Sequence, residues 1–296
     1  MHKLKSMGKT ALFVSSFLWG MGYVAVELAL QSGWHPVAIL AVTGLIGAMV
    51  LIVFSKKRNF FYDKDLMKEG IIAGVFLSAG MILQIFGQLM STPSKAAIII
   101  TSYVIFTPIL YSIKQRRPLT RLVFVASTLA FMGVVIISYD GGFSFLIGDV
   151  ILVLGALMFA FHFIQLEKNA KFDDAISLSI IQLLTMSILM SCVLPFLSYN
   201  FAFNGFIYVA YLGVVSSGLA FFLQNYGQKL VTSSSASVIM TFEAIFGVVA
   251  SILVFQSVLS FKLFIGAFLL LGSVFMLELM PHSRYFKGRR YKSRKG

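Results

Sequence analysis

Glu243 is the one carboxylic acid of this chain that stands deep inside an apolar run, nine residues past Ser234. Along a helix rising about 1.5 Å per residue, that is roughly 13 Å from the helix start. A charge at such a depth costs roughly 3 kcal/mol or more, so the carboxyl has to face protein or water. Two chemistries suit it: exchange of a proton, or attachment of a substrate amine. A neutral acid hydrogen-bonded between helices is the structural alternative. His162 is the only histidine within an apolar run and is either a proton relay or a packing residue. Gln84 and Gln224 offer deep amides for polar substrate groups, with Gln88 and Gln228 one turn further on. Trp19, Tyr23 and Tyr103 fall inside apolar runs, away from the interfaces where such rings collect. Their faces and hydroxyls suit a cavity wall that stacks on a solute or covers a cation. Pro108 is expected to bend its helix and free the carbonyl of Val104.

The residues of known hydrolytic and nucleotide-driven chemistry are missing. The chain has no G-x-S-x-G, no H-E-x-x-H and no G-x-x-x-x-G-K-[ST]. Every Asp sits in a loop or at a helix end, and the four histidines are scattered. Cys192 is the single cysteine, which excludes an internal disulfide and a thiolate cluster. An intramembrane enzyme is the least favoured reading, and neither cofactor nor metal is expected.

The elements that must position these residues follow from composition. The chain is 58% hydrophobic and 12% charged, outside the range of an ordinary soluble domain. Ten apolar runs between residues 10 and 279 are each about long enough to cross the hydrocarbon of a bilayer. Threading ten crossings from a cytoplasmic amino terminus puts every Lys and Arg except Lys95 and Lys262 on the inner side. The net charge of +13 therefore reports topology and contact with anionic inner-leaflet lipid, and no nucleic acid. The expected localisation is the plasma (cytoplasmic) membrane. The stretch 280–296, RYFKGRRYKSRKG at its end, is a basic cytoplasmic tail.

Residues 83–106 and 223–246 share eleven of 24 positions at a fixed offset of 140, the mark of an internal duplication. The two halves, 9–138 and 149–279, then carry five helices each. Five is odd, so the second half enters the membrane from the opposite side. The expected fold is an all-α integral membrane protein of ten transmembrane helices in two inverted five-helix repeats, both termini cytoplasmic. Such repeats place a substrate path between the halves near the midplane. One repeated position differs in chemistry: Tyr103 in the first copy, Glu243 in the second. Ser94 and Ser234 are the expected helix N-caps of the repeated hairpins.

FLWG at 17–20, the hairpins GQLMSTPSKAAII and GQKLVTSSSASVI, TFEAIFGVVAS at 241–251 and KLFIGAFLLLGSV near the end resemble the drug/metabolite transporter superfamily in its ten-helix EamA-like branch. The resemblance covers nearly the whole chain and implies a central cavity among helices 1–4 and 6–9, with helices 5 and 10 peripheral. Many relatives carry an arginine in helix 2, where this chain has Thr43, and a glutamate after helices 4 and 9, where Arg116 and Gln256 stand. The resemblance implies a transporter that exports or imports small polar metabolites. The favoured reading is a secondary transporter of small polar or amphipathic, amino-acid-like solutes, an exporter working by alternating access, in which any proton coupling passes through the deep Glu243. An uncoupled facilitator or exchanger, for example of a nucleotide-type solute, is the alternative. A sensor or scaffold that keeps the fold without transport is the reading from another class. The sequence fixes no oligomeric state.

Overall fold

The computed structural model describes residues 2–55, 63–116, 121–138, 147–197, 203–256 and 260–278. The basic tail 280–296, Lys56, Lys57, Arg58 and Asp140 lie outside them. The described residues are all helical apart from turns, as lipid requires of a chain that must satisfy its own backbone. The first copy contains α1 His2–Gln31, α2 Pro36–Phe54, α3 Lys64–Leu89, α4 Pro93–Ile100, α5 Tyr103–Gln115 and α6 Arg121–Ser138. The second contains α7 Ile147–Asn169, α8 Ala175–Val193, α9 Phe206–Tyr211, α10 Ala220–Leu230, α11 Ser233–Met240, α12 Phe242–Phe255 and α13 Phe261–Glu278. A π-helical stretch, Leu212–Leu219, joins α9 to α10 in one rod.

Among the described residues eight helices are long and apolar enough to cross a membrane. The α6 and α13 helices carry shorter apolar stretches, Phe124–Ile137 and Phe261–Ser273. They pack on each other at the side of the bundle and expose Phe124, Phe131, Phe264 and Phe268, a surface suited to lipid.

The two copies are interlocked rather than set side by side. The α1 helix packs against α10 and α12 of the other copy, and α7 packs against α3 and α5. Contacts along each pair fix the directions. Gly8 meets Gly227 while Trp19 meets Ser216, so α1 and α10 run antiparallel. Gly87 meets Gly148 while Glu69 meets Lys168, so α3 and α7 do too. Gln88 lies beside Tyr23 and Glu27 at the carboxyl ends of α3 and α1, so α1 and α3 rise together and α7 opposes both. The copies are thereby inverted.

Equivalent hydrogen bonds recur at the 140-residue offset. Gln88 Nε2 donates to the Tyr23 carbonyl at 2.8 Å, and Gln228 Nε2 donates to the Phe163 carbonyl at 2.7 Å. Thr101 and Thr241 each interrupt a rod, their hydroxyls donating back to the carbonyls of Ile98 and Val238 at 2.6 Å. The interruption thus lies at Thr101 and is shared by both copies; α5 runs on through Pro108. Arg116 and Gln256 end α5 and α12 in the same left-handed conformation, at φ 51°. Their role is that of a C-cap.

The hairpin caps depart from expectation. Thr92 accepts from Lys95 N and Thr232 from Ser235 N, so the N-caps are two residues before Ser94 and Ser234. Pro93 in the first copy explains the register, because proline favours the first helical position. The swap of Pro93 for Ser233 has a further effect. Glu167 accepts from both the N–H and the hydroxyl of Ser233. Pro93 has no N–H to offer, and the equivalent Glu27 is bound instead by Gln31 at 3.0 Å and Gln88 at 3.4 Å.

Small residues make the interlock tight. A Cβ on Gly227 would stand 2.7 Å from both the Gly8 carbonyl and Leu12 Cγ, and one on Gly87 would stand 2.6 Å from Leu152 Cγ. Gly227→Val and Gly87→Val should each cost roughly 1–3 kcal/mol through overpacking. The check is thermal melting of the purified protein in detergent; a melting temperature unchanged in both variants would contradict this close packing.

Candidate functional site

Four pairs of repeat-related residues surround a cavity between the copies: Trp19 and Phe159, Tyr23 and Phe163, Gln84 and Gln224, Tyr103 and Glu243. The cavity therefore straddles the axis that relates the two halves. The remaining lining is unequal. Val26, Ile39, Leu40, Thr43 and Ile85 belong to it, whereas the same positions in the second copy, Leu166, Ser179, Ile180, Leu183 and Asn225, do not; the second copy adds Leu212, Ser216 and Ser217 instead. Val26 and Ile39 flank the α1–α2 turn, so the cavity is displaced toward that face of the protein. About 50 Å³ is open to water, room for roughly three to five molecules. In this conformation the path is nearly closed.

Glu243 stands in the first turn of α12, just past the interruption at Thr241, and is 4% exposed. Tyr23 and Tyr103 both lie within electrostatic reach of its carboxyl. The Tyr103 hydroxyl is directed at that carboxyl without closing a well-aligned hydrogen bond. The Tyr103 ring leans on Phe163, centroids 5.0 Å apart. Trp19 is held by its indole N–H, which donates to the Ser216 carbonyl at 2.9 Å, and its ring meets the edge of Phe221. Ser216 and Ser217 belong to the π-helical stretch, a distortion frequent at functional sites. Gly22 lets Ser216 come close, since a Cβ there would be 3.1 Å from the serine Oγ.

Gln224 is fully buried, yet neither its Nε2 nor its Oε1 has a protein partner. A buried amide left this way costs about 1–3 kcal/mol per unsatisfied group, so it points to water or solute as the partner. Gln84 is half-buried across from it. Glu243 is the only acid in the lining, and no Lys, Arg or His accompanies it. The arrangement offers one carboxyl, two phenols, two amides and two serines within an aromatic box. Such a box suits a cation at the carboxyl and an apolar or amide body beside the rings.

Six of the seven residues singled out as substrate-binding or coupling groups line this cavity: Glu243, Tyr103, Trp19, Tyr23, Gln84 and Gln224. His162 does not. It is 1% exposed and bonded to Gln182 at 2.7 Å, facing α8. Pro108 is also absent from the lining. Gln88 and Gln228 hold the helices together through backbone carbonyls. Thr43, Ser216, Ser217, Phe159 and Phe163 complete the wall without having been singled out as cavity residues. The two phenylalanines could have been found as the repeat partners of Trp19 and Tyr23. The π-helical turn leaves no comparable signal. Among the described residues no group of three His, Cys, Asp or Glu could hold a metal ion.

Comparison with known proteins agrees with this architecture. The model of the EamA-like transporter family matches the chain twice, over residues 6–139 and 146–279. An uncharacterized transporter of Archaeoglobus fulgidus is 26% identical over 270 residues, 90% of this chain and 84% of that protein. An uncharacterized transporter from the sor 3' region of Acidianus ambivalens is 26% identical over 202 residues, 68% of this chain and 77% of its own length. One solved crystal structure superposes with a TM-score of 0.69, covering 93% of this chain and 97% of the other at 16% identity. That likeness concerns the fold alone.

The unpartnered amide makes a prediction about stability. Gln224→Leu keeps the volume and removes two buried polar atoms, so it should raise stability by about 1–3 kcal/mol in the solute-free protein. Thermal melting in detergent reads this; a fall in melting temperature would mean that the amide is already satisfied.

Proposed function

Given that this chain belongs to the EamA-like transporter family, we propose that it is a secondary transporter of small amphipathic solutes that carry an ammonium group. The observation that supports this reading is Glu243, the only acid of a cavity otherwise walled by aromatic rings, amides and hydroxyls. A desolvated cation over such rings gains about 2 kcal/mol beyond its pairing with the carboxylate. Amino-acid-like solutes fit this class when their acid is masked as an amide or ester. A free carboxylate would find no cation here, since Thr43 stands where many relatives carry arginine.

Glu243 can hold a proton or an amine, and competition between the two couples them. A proton entering from one side displaces the amine to that side, and loss of the proton to the other side frees the carboxylate for the next amine. Exchange of this kind drives export when the proton gradient points inward. The Gln84 and Gln224 amides and the Ser216 and Ser217 hydroxyls orient the rest of the solute. Ten crossings with both termini inside fit the distribution of cations, because Lys95 and Lys262 share the end of the bundle with the α1–α2 turn while Lys64, Lys114, Lys168 and Lys229 stand at the other. On this orientation the cavity lies toward the outer face, the cell membrane is the location and anionic inner-leaflet lipids meet the basic end.

Flux from the purified protein in liposomes tests the proposal, with a panel of amino acids, their amides and esters, and simple amines, each with and without a pH gradient. Amines and masked amino acids should move, and the gradient should drive them. Glu243→Gln should abolish gradient-driven flux and also weaken exchange of the cationic solute, because the same carboxylate holds the ammonium. Undiminished gradient-driven flux in that variant would overturn the coupling role, and preferential movement of anions would overturn the solute class.

A further inference from the structure

Below the cavity, on the side away from the α1–α2 turn, the second copy contains a hydrogen-bonded chain that the solute site does not use. Asn225 Nδ2 donates to Ser179 Oγ at 3.0 Å and to the Phe221 carbonyl at 2.9 Å. Gln182 Nε2 donates to Asn225 Oδ1 at 3.0 Å and to the Leu178 carbonyl at 3.1 Å. With that nitrogen committed, Gln182 Oε1 is the acceptor for His162, which makes Nε2 the donor across 2.7 Å. Ser179 Oγ donates onward to the Ala175 carbonyl at 2.8 Å. The chain ties α7, α8 and α10 together, and each of its four side chains is at most 5% exposed.

The equivalent positions in the first copy are Gly22, Val42, Ile85 and Ile39. None has a polar side chain, and three of them, Gly22, Ile39 and Ile85, line the open part of the cavity. Two inverted copies of one scaffold thus differ at these positions, which line the cavity in α1–α3 and are packed away from it in α7, α8 and α10. Exchange of the two arrangements is how such repeats alternate access. Applied to these residues, it uncovers His162, Ser179 and Asn225 when the path opens to the opposite face.

Resting on the transport reading above, we infer that the His162–Gln182–Asn225–Ser179 chain is the latch of the closed gate and the polar lining of the path in its opposite-facing state. Buried polar groups that bond to one another rigidify what they join, and among these four side chains only His162 Nδ1 lacks a partner. The same groups accept water once exposed, so opening this side does not strand apolar surface. The first copy has no such latch, and its mouth stays apolar. The two mouths of the path therefore differ in chemistry.

Single-cysteine accessibility tests this without knowledge of the solute. Cys192→Ser removes the only cysteine, and Val26→Cys or Leu166→Cys then reports one mouth each in oriented vesicles. A membrane-impermeant maleimide should reach Val26→Cys from the face of the α1–α2 turn and Leu166→Cys from the opposite face only. Adding Asn225→Leu should speed labelling of Leu166→Cys about fivefold and slow that of Val26→Cys, the shift in a two-state ratio that one net hydrogen bond produces. Ser179→Ala, a milder change, should move both rates the same way. Labelling of both reporters from one face, or rates unchanged by both latch variants, would overturn the inference. Solute flux with unchanged labelling sinks the latch alone; reciprocal labelling without flux of any solute leaves the latch and sinks the transport reading.

Discussion

A side-chain amide placed in hydrocarbon has to be answered by another polar group, and this requirement orders the interior of the protein. Four glutamines at repeated positions show the two ways of meeting it. The Nε2 atoms of Gln88 and Gln228 are answered by main-chain carbonyls one helix away, which binds α3 to α1 and α10 to α7, while their Oε1 atoms are left without a protein partner. Gln84 and Gln224, a turn deeper, have no such neighbour and face the cavity. The outer amides hold the frame, and the inner ones wait on something that enters it. The same rule accounts for the second copy, where His162, Gln182, Asn225 and Ser179 answer one another, with His162 Nδ1 alone left over.

Symmetry of the backbone and asymmetry of the side chains are separate achievements of the sequence. The backbone repeats down to the interruptions at Thr101 and Thr241 and the left-handed caps at Arg116 and Gln256. The cavity wall repeats only in position: a phenol faces a carboxyl, an indole faces a phenyl ring. A symmetric frame is what the proposed alternation of opposite mouths requires. Distinct side chains at equivalent places give each mouth its own preference.

Much of this was legible in the sequence. Apolar runs and the 140-residue echo carry the fold because hydrocarbon and repetition leave few alternatives. Glu243 was legible because ionisable groups are so rare at depth, and its repeat partner Tyr103 came with it. His162 lies outside the cavity because depth says nothing about which side of a helix a residue occupies, and it faces Gln182. Ser216 and Ser217 lie in a π-helical stretch that shifts the facing of every residue after it, which no periodicity rule anticipates. The caps fell on Thr92 and Thr232 because Pro93 fixes the first helical residue, and serine and threonine are otherwise near equals at that position. The peripheral place of α6 and α13, packed against each other and outside the cavity lining, is the one that the resemblance implied for helices 5 and 10.

Pro93 and Ser233 give the two hairpins different mechanical characters. The first is stiffened by a ring that fixes its backbone angle, a constraint no change of surroundings removes. The second is stiffened by a clasp between Ser233 and Glu167, which closes and opens like any hydrogen bond. One hairpin is thus constrained by its own covalent ring, and the other by a bond between two side chains of separate helices.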